Sequence, residues 1–448
     1  MDKPFELLQL TGRHLRPGQT QFPDRTPADP VVFVEGATGA AMIYGTQVEG
    51  SGLTFLRYPD LKTLLAAGSF ARMTREVYLT NGQRLEGREA IWDALRLSYH
   101  HLKACFPQLD TFYHEQKIKA ASDIYYGGVA LNPDGTLGDF PADNWRRRIH
   151  AMVEREDGRL EIIAEPVFNP IPANAKTSDY IGFGLLPSLP GNYLGHAYGP
   201  NFKIEGGELW MIHEEVSRRA LIQGKHVEIT EIFARRMLTP LHAEAGSVRL
   251  VSVESPDGTM SPDACRGPLL NYTQLLEGFR PTQVDAGGIH LDEAPGREFF
   301  FLTGSSGNFA GDDYDVIMAV REGSAIGPYR LITDSDTGRW KRYLRDIKKA
   351  HGLSWAGRGS FVQDNDGGWH LLFHAVDKSI KPEGSYTGAI PPNTADYHRN
   401  LYLLPLEFFM NETGEPDVCI RNPRITLAPH AASRAPFGKG QDHRPSKL

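Results

Sequence analysis

Apolar and polar residues alternate with a period of two over short stretches spread along the chain, and each stretch is broken by a Gly or Asp-Gly turn. The pattern recurs in PVVFVEGATGAAMIYGT (30–46), RRIHAMVEREDGRLEIIAEP (147–166), NFKIEGGELWMIHEEV (201–216), QVDAGGIHLDEAPGREFFFLTGSS (283–306) and SFVQDNDGGWHLLFHAV (360–376). Residues two apart on a strand share a face, so each run predicts a β-hairpin. Hairpins placed in this way fit an all-β, five-bladed β-propeller, in which blades repeat radially and each supplies its own short sheet. Their uneven spacing leaves two stacked sheets as the alternative.

One segment has a different period. In REAIWDALRLSYHHLKACFP (88–107), Ile91, Leu95, Ser98, Leu102 and Phe106 fall at helical spacing and Pro107 ends the run. This predicts a helical or irregular insertion over 61–140, between the first and second blades. Trp92 and Tyr99 read as packing residues, and the adjacent His100 and His101 point to different sides of a helix, so they form no ligand pair. The propeller body is expected over 15–410, followed by a tail over 411–448 that is rich in Pro, Arg, Lys and His.

Composition adds limits rather than detail. With 448 residues, 40% hydrophobic and 23% charged, the chain can bury a large core. Gly 46 and Pro 31 make about 17% of it, above the roughly 12% of average usage, which implies many tight turns. Its 48 basic and 55 acidic residues leave a net charge of −7 and form no basic stripe, so no nucleic-acid partner is expected. A neutral or polar small molecule fits better. Cys105, Cys265 and Cys419 lie far apart, which gives neither a disulfide framework nor a metal pattern and predicts buried thiols. The first residues carry no basic stretch followed by a long apolar run, and no apolar stretch reaches about 18 residues. A cytoplasmic protein without a membrane partner is the expectation.

Three motifs carry candidate chemistry. Asp29 precedes Pro30 at the entry to a strand, Glu277 stands in LLEGFRP ahead of a hairpin that is followed by Gly327-Pro328-Tyr329, and Arg358 and Ser360 stand in GRGS at the mouth of the last hairpin. In this order the segments resemble the five-bladed propeller glycosidases of glycoside hydrolase family 43 over roughly residues 25–406, most strongly over 275–330 and 355–376. The resemblance implies single-displacement hydrolysis of a carbohydrate or sugar-like small molecule, with Asp29 as base and Glu277 as acid. Such chemistry needs one ionised carboxylate to take a proton from water and one protonated carboxyl to protonate the leaving oxygen, roughly 6.5–9.5 Å apart for inversion. Burial beside another carboxylate would raise the acid towards neutrality.

The chain departs from the family pattern twice. Gly199 stands where the third blade should supply an Asp that tunes the acid, with Asn201 two residues on; Asp179 or Glu215 would have to substitute. Arg358 stands where the family has a His that binds a central ion or water, and a guanidinium holds carboxylates or phosphates rather than cations. No cofactor and no catalytic metal are expected, a structural calcium or other axial ion being the one such group the resemblance implies. His196, Asn201, Trp355, Arg358 and Arg399 are the candidate substrate-binding residues, while His374 shares a strand face with His370 and Leu372 and reads as structural. The expected activity is an inverting, exo-acting glycoside hydrolase for a small furanoside or pentoside. The two departures keep open a non-hydrolytic enzyme of the same fold and a non-catalytic carbohydrate-binding propeller.

Overall fold

The structure is a computed structural model that describes residues 7–10, 28–46, 52–86, 90–132, 134–138, 147–168, 196–222, 225–251, 279–280, 288–290, 296–306, 314–334, 341–377 and 399–421. Its strands group into five antiparallel blades, the first two joined into one eight-stranded sheet, taken up in chain order after a short opening strand, β1 (Leu8–Gln9). The first blade is β2 (Ala28–Val34), β3 (Ala41–Thr46), β4 (Gly52–Tyr58) and β5 (Ala71–Tyr78), with helix α1 (Leu61–Leu65) between its last two strands. The second is β6 (Ile91–Leu97), β7 (Ile124–Val129), β8 (Arg148–Glu154) and β9 (Leu160–Ile162), with helices α2 (Tyr99–Cys105) and α3 (Leu109–Glu115) between β6 and β7.

The third blade is β10 (His196–Glu205), β11 (Glu208–Ile222) and β12 (Lys225–Thr239), with β13 (His242–Ala243) and β14 (Val248–Val251) both on β12. In the fourth, β15 (Phe279–Arg280) and β16 (Gly288–His290) pair with β17 (Glu298–Ser306), followed by β18 (Asp315–Glu322) and β19 (Arg330–Leu331). Helix α4 (Arg345–His351) leads into the fifth blade, β20 (Leu353–Gln363), β21 (Trp369–Asp377), β22 (Asn400–Met410) and β23 (Pro416–Ile420).

The blades pack face to face around a ring, which explains why β3 and β7 are buried at every position rather than at alternate ones. Tyr44 and Leu53 of the first blade meet Ile91, Tyr125 and Val129 of the second. Tyr126 and Ala151 meet Ala197 and Met211 of the third, with Leu102, Leu109 and Tyr113 of α2 and α3 closing that layer. Phe301 and Met318 pack on Phe361 and Phe373 between the fourth and fifth blades, and Ile43 and Leu56 pack on Leu372 and Leu401 between the fifth and first. At the rim, β1 adds to the outer side of β22, pairing Leu8 with Leu403 and Gln9 with Tyr402. The start of the chain thereby ties the last blade, and the parallel pairing of β5 with β9 joins the rims of the first two.

The hairpins read from alternation are all present, but three boundaries move. Ile91–Leu97 is strand β6, and the helix begins only after Ser98, whose hydroxyl accepts the His101 N–H as its N-cap. A spacing of four is shared by a helical face and by every second pair of alternate residues on a strand, so Ile91 and Leu95 fit both periods. A bulge between Trp92 and Leu95 then breaks the alternation, and pairing with Val129 and Tyr126 puts the two on opposite faces. Much of 61–140 is consequently strand β5, β6 and β7 of the first two blades, and the two consecutive helices lie inside the second blade. The propeller also extends beyond 15–410, taking in β1 at one end and β23 at the other; residues 422–448 lie outside the described residues.

Candidate active site at the propeller axis

Four blades carry the same irregularity in the innermost strand. Pairing slips between Ala28 and Val31, Trp92 and Leu95, Tyr198 and Asn201, and Gly357 and Ser360. Within each bulge one residue is left-handed: Asp29 at φ 56°, Asp93 at 51°, Gly199 at 64° and Arg358 at 51°. This region costs an L-residue roughly 1–2 kcal/mol and is most accessible to Asp and Asn after Gly. The bulge turns these side chains off the pleat, and those of Asp29, Asp93 and Arg358 meet one another.

Arg358 is the hub. It is buried, with Nε 3.3 Å from Asp29 Oδ1 and Nη1 3.1 Å from Asp93 Oδ1 and 3.5 Å from Glu214 Oε1. Its backbone N–H donates to Ser305 Oγ at 2.9 Å, which fixes the bulge against the fourth blade. Burial disfavours the charged guanidinium, but Asp93, Glu214 and Asp29 outweigh that and hold it firmly protonated. Gly357 beside it has no side chain because the Tyr314 ring fills the space; a Cβ there would lie 2.1 Å from Tyr314 Cε1.

The two aspartates are pushed apart. Burial raises Asp29, but Arg358, the His374–Arg399 pair and the Thr46 hydroxyl outweigh it and bring its pKa down to about 2. Burial is also the main influence on Asp93, and with the negative charge of Asp29 it prevails over Arg358 and raises Asp93 to about 6. Thr46 Oγ1 lies 2.6 Å from Asp29 Oδ2 and 3.1 Å from Asp93 Oδ1. A hydroxyl has one proton, so when it donates to Asp29 its contact with Asp93 becomes a hydrogen bond once Asp93 takes up a proton, below about pH 6. Sharing one hydroxyl also brings these two carboxyls closer than the roughly 6.5–9.5 Å that an inverting pair requires.

On the other side of Asp29, its backbone N–H reaches His374 Nδ1 at 2.9 Å, and His374 Nε2 lies 2.8 Å from Arg399 Nη1. Burial and then Arg399 hold this ring neutral. It acts on Asp29 as a polar neighbour, and the guanidiniums supply the charge.

The predicted residues fare differently. Asp29, Arg358 and Arg399 come together, with Arg399 Nη1 4.0 Å from Asp29 Oδ1. Trp355 is only 3% exposed, so its ring packs inside the protein instead of offering a face for a sugar to stack on. Asn201 turns its Oδ1 to the Phe202 N–H at 2.7 Å. His196 opens β10, where its backbone pairs with Val216. Glu277, Asp179 and the third thiol, Cys265, lie outside the described residues. His374, read as structural, is buried in direct contact with Asp29 and Arg399. Asp93, Glu214 and Thr46 were not anticipated. A legible signal for Asp93 was the recurrence of ADP, WDA, YGP and GRG, each a polar residue or Gly breaking into an apolar strand near its start.

A cation on the axis does not fit beside Arg358, which has no lone pair to offer and already brings positive charge to the carboxylates. Among the described residues no group of three His, Cys, Asp or Glu is set to hold a metal, and no helix is long and apolar enough to cross a membrane.

No family model matches the chain, and no curated protein matches it. Among solved structures it is similar to a thermostable family-43 glycoside hydrolase, with TM-score 0.51 and 13% identity over 90% of this chain and 94% of that one. An endo-1,4-beta-xylanase from Bacteroides thetaiotaomicron has TM-score 0.44 at 13% identity, over 89% of this chain and 94% of that one. An alpha-L-arabinofuranosidase from Lactobacillus brevis also has TM-score 0.44, at 12% identity over 87% and 93%. The chain thus has the five-bladed propeller fold of the family-43 glycoside hydrolases.

Proposed function

We propose that this protein is a glycoside hydrolase, inverting and exo-acting on a small furanoside or pentoside. The observation that carries the reading is Asp29, which is ionised, fixed by Thr46 and two guanidiniums, and the most exposed of the carboxylates around Arg358. In this role it accepts a proton from the attacking water. Asp93 is too near to be its inverting partner, so the acid must come from another part of the site, and Glu277 is our candidate. It stands two residues before β15, whose Arg280 pairs with Ser305, the residue that binds the Arg358 backbone.

A panel of chromogenic pentosides and furanosides tests this, with product configuration followed by NMR. Turnover with inversion is expected, and Asp29→Asn and Glu277→Gln should each lower it at least about 10²-fold with substrate binding retained. Full activity in either variant removes the assignment. One observation favours a second reading, a non-hydrolytic enzyme of the same fold: Arg358 makes Asp29 a weak base. Wild-type protein that binds a sugar-like ligand but turns over no glycoside would select it.

A further inference from the structure

The third blade breaks the repeat, since Gly199 has the backbone of Asp29 and Asp93 but no side chain. Its space is used by another strand. A Cβ built on Gly199 would lie 3.3 Å from Glu214 Oε1, and Glu214 belongs to β11, where it pairs with Tyr198. The Glu214 side chain is 2% exposed and ends 3.5 Å from Arg358 Nη1. We propose that Glu214 is a positioning residue of the axial site, entering through the gap at Gly199 and drawing the Arg358 guanidinium away from Asp29.

The effect follows from charge division. Arg358 serves Asp29 from β2, Asp93 from β6 and Glu214 from β11, while Tyr314, His374 and Arg399 complete the surroundings of Asp29. With Glu214 neutral, one negative charge is lost and the guanidinium acts on the two aspartates alone. Both then ionise more readily, and the lower proton affinity of Asp29 weakens it as a base. Glu214 counters this without touching substrate.

The role deepens the glycosidase reading but can be tested without turnover. The protein is labelled with 13C at the Asp side-chain carboxyl, and the Asp93 signal, assigned with Asp93→Asn, is followed between roughly pH 4 and 8. Glu214→Gln should lower its midpoint by about one pH unit. Gly199→Asp combined with Glu214→Ala returns a carboxylate through the same gap, in a backbone conformation that Asp29 and Asp93 already adopt, and should restore the midpoint. An unchanged titration in Glu214→Gln overturns the proposal, as does a double variant that stays shifted. If Glu214→Gln does not fold, the double variant decides; failure of both to fold overturns it in favour of a purely structural charge. Wild-type protein that turns over no glycoside would count against the hydrolase reading alone.

Discussion

Arg358 Nε lies 3.3 Å from Asp29 Oδ1, so the fifth blade supplies the counter-charge of the first and the ring is tied at its axis as well as at its rim. Removing one member of a buried ion pair leaves the rest uncompensated, at a cost of about 3–5 kcal/mol.

Arg358→Met should therefore destabilise the protein by about that amount near neutral pH. The loss should shrink in mild acid, where protonation relieves the carboxylates it leaves behind. Urea unfolding at the two pH values measures this, and an equal loss at both contradicts it.

Asp93 makes a pH-dependent contribution of defined sign. Its pKa is about 6 in the fold against an ordinary 3.8, so its stabilisation is full below pH 3.8 and is lost as pH rises through about 6. Asp29 runs the opposite way, contributing above 3.8 and losing that contribution as pH falls through about 2. Asp93→Asn should gain on wild type by on the order of 2 kcal/mol between about pH 4 and pH 7. Thermal unfolding across that range reads the difference; a flat one counts against the assignment.

The Thr46 hydroxyl donates to Asp29 Oδ2 at 2.6 Å. Thr46→Val keeps the shape and removes the proton, so Asp29 becomes easier to protonate and the acid limb of kcat/KM should move up by as much as about one pH unit. Thr46→Ser should leave the limb in place.

Gly357 and Gly36 provide a packing contrast. A Cβ on Gly357 meets the Tyr314 ring at 2.1 Å, whereas one on Gly36 meets nothing within 4 Å. Gly357→Ala should cost about 1–3 kcal/mol, and Gly36→Ala should be near neutral. Melting temperatures of the two variants decide it.

The hairpins were readable because a strand in a blade alternates its faces; Asp29 and Arg358 were readable from motifs that resemble the family pattern, and Arg399 from its place just before the closing strand. Asp93 was hidden because the spacing of Ile91 and Leu95 fits a helix as well as a strand, and its own bulge breaks the alternation that marks a strand. Glu214 was hidden for another reason. Nothing in HEEV distinguishes it from Glu215, and only the gap over Gly199 brings its carboxylate to Arg358.

The sequence by itself determined five hairpins, their turns and the blade pattern, since these depend on residues near one another along the chain. Only the tertiary structure decided which charges share the axis. A propeller gathers one short stretch from each distant blade at its centre, and there burial and separations of 3–4 Å set which carboxylate stays ionised and which takes up a proton in mild acid.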